Sequence, residues 1–108
     1  MEKSRAIVVS QTPLTGTDGR ELLVVLAEVA PDFTGVPHDH AGDELVYILD
    51  GSIVFTLDGK PVVALKAGET CHIPAKQLHF GKTASEAVKF LSIQVRELGT
   101  PGLRAYPE

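Results

Sequence analysis

Residues 37–51 read PHDHAGDELVYILDG and carry a His-x-His-x-x-x-Glu pattern that closes on a glycine. In an extended strand, side chains two apart share a face, so His38 and His40 project together. Glu44 keeps that parity, and the Ala41-Gly42-Asp43 bend must carry it back towards the imidazoles. Two imidazoles and a carboxylate that converge in this way suit borderline divalent metals. After Glu44, LVYILD reads as a strand, and Gly51 marks a turn or bulge before SIVFTL at 52–57.

The flanking sequence has the same texture. Residues 5–9 (RAIVV) are β-branched and form an opening strand, and QTPLTGTDG at 11–19 is dense enough in Thr, Gly and Pro to be a loop. ELLVVLAEVA at 21–30 is apolar on both alternating faces, and its length and paired valines favour a doubly covered strand over a helix. Its outer face is expected to lie against a second copy of the chain, giving a homodimer. Pro31 to Gly35 turns the chain towards the histidines. Asp58-Gly59 is a hairpin signal of the type I′ kind, with PVVAL returning antiparallel. Turns at Ala67-Gly68-Glu69 and Pro74-Ala75-Lys76 bracket TCHIP, and LHFGKT follows. AVKFLSIQVREL at 87–98 is the last long strand, with Leu91, Ile93 and Val95 on one face. The tail GTPGLRAYPE lacks periodicity and reads as an extended surface arm that crosses to a partner. Evenly spaced short strands without a helix indicate an all-β sandwich or barrel.

The chain's 108 residues suffice for one domain, spanning 1–108, around one hydrophobic core. An apolar fraction of 44% and a charged fraction of 22% are those of an ordinary globular protein. A formal net charge of −4 argues against nucleic acid and anionic membrane surfaces as partners. No run reaches the length of a membrane span, and MEKSRAIVVS lacks the apolar centre of a signal peptide. A single cysteine, Cys71, forms no intrachain disulfide and suits the reducing cytoplasm, where the protein is expected to reside.

With these residues in view, the chain resembles the small single-domain members of the cupin superfamily. His38, His40, Glu44 and Gly51 match that family's first motif, although Asp32 stands where its leading glycine is usual. Gly68, Pro74 and His79 match the second motif, with Lys76 in the place of its second glycine and Thr83 in the place of its asparagine. The resemblance covers about residues 20–97, flanked by an N-terminal strand and the C-terminal arm. It implies a double-stranded β-helix, or jelly-roll barrel, with His38, His40, Glu44 and His79 holding one divalent metal ion per chain in its mouth. Iron, manganese, cobalt, nickel, copper and zinc all fit such a set. Four protein ligands on a six-coordinate ion leave two positions for water, dioxygen or a chelating substrate. The bland alternative is a set of polar barrel-interior residues in a cupin without metal.

Other residues attract weaker expectations. His72 fits no ligand slot and reads as a wall or surface histidine, with a supporting or substrate-contacting role as the minority reading. Cys71 reads as a small buried hydrophobe. Tyr47, Phe55, Phe80 and Phe90 are expected to form an aromatic wall. Gln94 and Arg96 share a face of the last strand, which reads as solvated, with a polar group placed over a substrate as the alternative in this fold. Asp39 and Asp43 have the wrong parity to join the ligands, and Asp43 is positioned to orient one of them.

The function these readings imply is that of a metal-dependent enzyme acting on a small oxygenated or carboxylate-bearing molecule. Its chemistry would be dioxygenase-like with iron, and isomerase- or lyase-like with other metals. The rival is a non-catalytic ligand-binding or sensing barrel with a structural or vestigial metal site, because fold does not imply function.

Overall fold

The computed structural model describes residues 4–98 and the backbone of Arg104–Ala105. It contains β1 (Arg5–Pro13), β2 (Arg20–Val29), β3 (His38–Asp39), β4 (Glu44–Leu57), β5 (Val63–Lys66), β6 (Thr70–Ile73), β7 (His79–Lys82), β8 (Val88–Glu97) and β9 (Arg104–Ala105). No helix occurs among the described residues, and so none is long and apolar enough to cross a membrane. Every pairing is antiparallel. The strand order is β1-β2-β8-β4-β7-β3-β9, with β5 and β6 also paired to β4. This curled sheet is the jelly-roll barrel expected from the sequence.

β4 is the pivot. Its first half pairs with β8 and β6, and its second half with β5 and β7. The register against β8 slips between Ile48 and Asp50, a bulge that inserts one residue. Side-chain parity therefore flips within the strand. Glu44, Val46 and Ile48 face inwards before the bulge, whereas Ile53, Phe55 and Leu57 do so after it. Gly51 has φ 81°, and a Cβ there would stand 1.9 Å from the Ala87 carbonyl oxygen, so only glycine fits the corner. The bulge alternative for Gly51 is the one realised, inside a single 14-residue strand. The inward residues of β4 join Leu65, Ile73 and Val88 in one core cluster, with Cys71 and Phe90 packed against it.

Several boundaries differ from the sequence reading. β1 runs on through Gln11-Thr12-Pro13, pairing with Leu23, Leu22 and Glu21, so the connecting loop begins at Leu14. Proline is tolerated there because β1 is an edge strand and Pro13 is its last residue. At Asp58-Gly59, the Lys60 amide donates to the Leu57 carbonyl at 3.0 Å. Only Gly59 has positive φ, so the turn is not type I′. Pro61 has no N–H to offer, and pairing resumes at Val63. Of the tail, Arg104 and Ala105 pair with Asp39 and His38 of the same chain, so at these positions the arm returns to its own barrel. The remaining tail positions, 99–103 and 106–108, lie outside the described residues.

The departures from the motif pattern have a direct structural outcome. Asp32, with φ 55°, and Lys76, with φ 65°, are the two non-glycine residues with positive φ among the described residues. They occupy the two places where glycine is usual, so the left-handed turns persist without it. Thr83, at the asparagine place, is buried. Its hydroxyl donates to the Ala30 carbonyl at 2.6 Å and accepts from the Phe33 amide at 3.0 Å, closing the Asp32 turn.

Candidate metal centre

β3 sits between β7 and β9, with His38 directly opposite His79 across the β3–β7 pair. This register brings the two motifs together although they are far apart in sequence. His40 follows β3. The turn after it is pressed against β8, where a Cβ on Gly42 would stand 1.7 Å from the Val95 carbonyl oxygen. That close approach returns Glu44 to the interior at the head of β4.

The ring centroids of His38 and His79 lie 4.4 Å apart, those of His38 and His40 5.0 Å, and those of His40 and His79 5.4 Å. One ring nitrogen from each falls within 4.8 Å of the others. His38 donates Nδ1–H to the Val36 carbonyl and His79 donates Nδ1–H to the Gln77 carbonyl, both at 2.8 Å. A carbonyl can only accept, so the proton of each neutral ring stands on Nδ1 and Nε2 is left with a lone pair.

Glu44 stands beside the group, within reach of two of its three histidines. Its Oε1 lies 3.2 Å from His40 Nε2 and 3.3 Å from His79 Nε2. Even so, this oxygen is buried and has no hydrogen-bond partner among the described residues. Its other oxygen, Oε2, accepts from the Ser92 hydroxyl. Burial pushes the Glu44 carboxyl up, but the contacts with His40 and His79 and the Ser92 hydroxyl outweigh it and hold the group well below the usual carboxylate range. Burial also pushes His38 down, outweighing the Val36 carbonyl, so the ring favours its neutral form. Glu44 Oε1 and the Nε2 atoms of His40 and His79 therefore have either a proton or a cation to share. The three histidines could hold a cation, with Glu44 beside two of them, and imidazole donors suit a borderline divalent metal.

Two hollows meet this centre. One, of about 140 Å³, is lined by His38, Glu44 and His79 together with Phe33, Phe55 and Phe90. The other, of about 430 Å³, lies between β1, β2 and β8 and is lined by His40, Gln94 and Arg96. Gln94 is buried and Arg96 half-buried, which corrects the solvated-face reading. On β8 the polar residues Ser92 and Gln94 face inwards, while Leu91, Ile93 and Val95 are only half-buried. Sequence reasoning also missed Glu21, a buried acid at the start of β2 that accepts from Arg96 Nε at 2.8 Å and from the Gln11 amide. An acid immediately before the apolar run LLVVLA at 22–27 was the available signal.

The remaining expectations resolve individually. Phe55 and Phe90 pack edge to face at 5.9 Å. Phe80 is half-buried, whereas Tyr47 precedes the bulge on the outward parity and is exposed. Phe33 supplies pocket wall in its place. His72 is exposed, 3.7 Å from Asp43. Asp43 does not orient a ligand histidine through its side chain, which accepts from the Ala75 amide at 2.9 Å and so braces the turn before Lys76. Asp39 is buried. Cys71 is half-buried, and desolvation raises its thiol rather than activating it.

A family model described as the cupin domain matches residues 25–94. Dimethylsulfoniopropionate lyase DddW of Ruegeria pomeroyi is 30% identical over 82 residues, which are 74% of this chain and 53% of that protein. The crystal structure of DMSP lyase DddQ from Ruegeria pomeroyi superposes with a TM-score of 0.82 at 21% identity, covering 98% of this chain and 53% of that one. A cupin superfamily protein from Desulfitobacterium hafniense superposes at 0.74 with 21% identity, covering 90% of this chain and 82% of that one. The chain thus spans about half the length of each lyase it resembles.

Proposed function

This chain belongs to the cupin family, and we propose that it is a metal-dependent lyase-like enzyme acting on a small carboxylate-bearing molecule. In this reading His38, His40, Glu44 and His79 hold one divalent transition-metal ion. The observation that carries it is the buried Glu44 Oε1, which lacks a hydrogen bond and faces the Nε2 atoms of His40 and His79. The similarity to two lyases favours lyase-like over dioxygenase-like chemistry.

When bound, the ion would act as a Lewis acid that polarises a substrate oxygen. The chain's own residues do the remaining work. The Val36 and Gln77 carbonyls fix the tautomers of His38 and His79, so that their Nε2 lone pairs are available. Ser92 holds the Glu44 carboxylate in its rotamer. Phe33, Phe55 and Phe90 give the smaller hollow an apolar wall that excludes water and strengthens every charge interaction beside it. The proposal extends to a homodimer. β1 is an edge strand, and its Ile7, Val8 and Val9 are exposed, which a second copy would cover.

The test is turnover. Metal-reconstituted protein is incubated with dimethylsulfoniopropionate, the substrate in the name of the relative, and with other propionates carrying a leaving group at C3. Loss of a C2 proton and of the C3 substituent, followed by proton NMR, is the expected result. A ligand that saturates the protein and is recovered unchanged would replace the enzyme with a binding module.

A further inference from the structure

The larger hollow contains a feature that the metal centre does not explain. Among buried side-chain atoms without a hydrogen-bond partner, three stand out: Glu44 Oε1, Gln94 Oε1 and Arg96 Nη1. The first belongs to the metal centre. The other two are on β8, two residues apart on one face, and both side chains line the hollow of about 430 Å³ beside His40. A buried polar atom that has given up water without gaining a partner is retained against a folding cost, so a partner supplied from outside is the natural complement.

The polarity of each atom is fixed by its neighbours. The Ser92 hydroxyl has a single proton, and it donates it to Glu44 Oε2. Ser92 Oγ must then accept from Gln94, whose Nε2 donates to it at 3.1 Å. The Gln94 amide is thereby oriented, and the atom left over is its carbonyl oxygen, an acceptor. Arg96 is always cationic. Its Nε is engaged by Glu21 at 2.8 Å, and Glu21 also accepts from Gln11 at 3.1 and 3.2 Å. The ion pair holds the guanidinium in place while Nη1 stays unpartnered. Leu23 and Val25 provide an apolar side to the same hollow.

We infer that this hollow is a subsite for a small carboxylate with a hydrogen-bond donor on the adjacent carbon, that is, a 2-hydroxy or 2-amino acid. The carboxylate accepts from Arg96 Nη1, and the hydroxyl or ammonium group donates to Gln94 Oε1. Its short apolar remainder lies along Leu23 and Val25. His40 lines the hollow and also stands at the metal centre, so the subsite opens towards the reacting position. The assignment rests on the proposed small-molecule site in the barrel mouth but does not require the metal.

The experiment is an NMR titration of the Gln94 side-chain amide in the full chain, with lactate as the probe. Acetate lacks the donor, 2-propanol lacks the carboxylate, and dimethylsulfoniopropionate carries a carboxylate but no N–H or O–H. Lactate should shift the amide saturably and bind about tenfold more tightly than acetate or dimethylsulfoniopropionate, with no effect of 2-propanol. The same titration of His79→Ala, which removes the proposed metal ligand, should be unchanged. In E21Q/R96Q, which removes both charges of the ion pair together, lactate binding should fall at least tenfold. If that variant does not fold, Gln94→Leu leaves the ion pair intact and, read on the Arg96 Nε–H resonance in place of the lost amide, should abolish the preference for lactate over acetate. No saturable shift in the wild type overturns the subsite, as does full affinity in E21Q/R96Q or a retained preference in Gln94→Leu. Binding lost in His79→Ala but kept in E21Q/R96Q would assign the carboxylate to the metal centre, overturning the subsite and leaving the proposed function standing.

Discussion

Glu44 Oε1 lies 3.3 Å from His79 Nε2, across the space where the two motifs of the chain converge. The pair is 35 residues apart in sequence and is brought together by the β4–β7 and β3–β7 pairings. Its geometry determines how the site responds to protons, to loss of its supports and to metal.

Acid should destabilise the metal-free protein in two overlapping stages. The His38 ring is held below its ordinary value of 6.5, so below that pH the unfolded chain takes up a proton that the folded ring refuses, and stability falls. The Glu44 carboxyl is held below its ordinary value of 4.5. Its stabilising contribution is therefore present above that pH and is lost as pH falls towards the folded-state value. Thermal unfolding of metal-free protein between pH 8 and pH 3 should show a melting temperature that declines from about pH 6.5 downwards. A flat profile from pH 7 to pH 5 would contradict the His38 assignment, and no further decline between pH 4.5 and pH 3 would contradict the Glu44 one.

Ser92 supports Glu44 and accepts from Gln94. Ser92→Ala leaves Glu44 Oε2 without its donor, with an expected loss of about 1–3 kcal/mol in unfolding free energy. It should also weaken metal binding by roughly tenfold or more, the usual scale for the groups that support a ligand. Ser92→Thr retains the hydroxyl and should recover most of the affinity. Competition with a chelating dye measures both, and equal affinities for wild type and Ser92→Ala would remove Ser92 from the site.

Lys76 links local backbone strain to ligand position. In its left-handed conformation its amide donates to the His40 carbonyl at 2.8 Å. Glycine adopts this conformation without the Cβ penalty, whereas a β-branched residue resists it strongly. Denaturant unfolding should rank Lys76→Gly above Lys76→Val by about 1–2 kcal/mol, with metal affinity falling in the valine variant. The reverse order would mean that the positive φ carries no strain.

The residues that the sequence made legible are those whose role depends on spacing. The His-x-His and Glu44 parity, the glycine at the β4 corner and the position of His79 are all local patterns. The β3–β7 register then turns them into a cluster. The parts that were hidden depend on context. Tyr47 is outward by plain parity counted from Glu44, whereas Phe55, of the same parity as Tyr47, turns inwards only because the β4 bulge lies between them. Gln94 and Arg96 lie on the polar side of β8, and the ordinary rule that polar faces meet water assigns them to solvent. In this barrel the polar side of β8 faces the interior, and that rule inverts. β1 ran past its expected end because pairing with β2 overrode the turn-forming Thr-Pro composition of 12–13. Local propensity gave way there to a neighbouring strand.

The most direct test is elemental analysis of protein purified without chelator or added metal, alongside His79→Ala, with melting temperatures to establish that both are folded. The account predicts close to one divalent transition-metal ion per chain in the wild type and a steep loss in the variant. A folded wild type that carries no metal and takes none up on addition would contradict it.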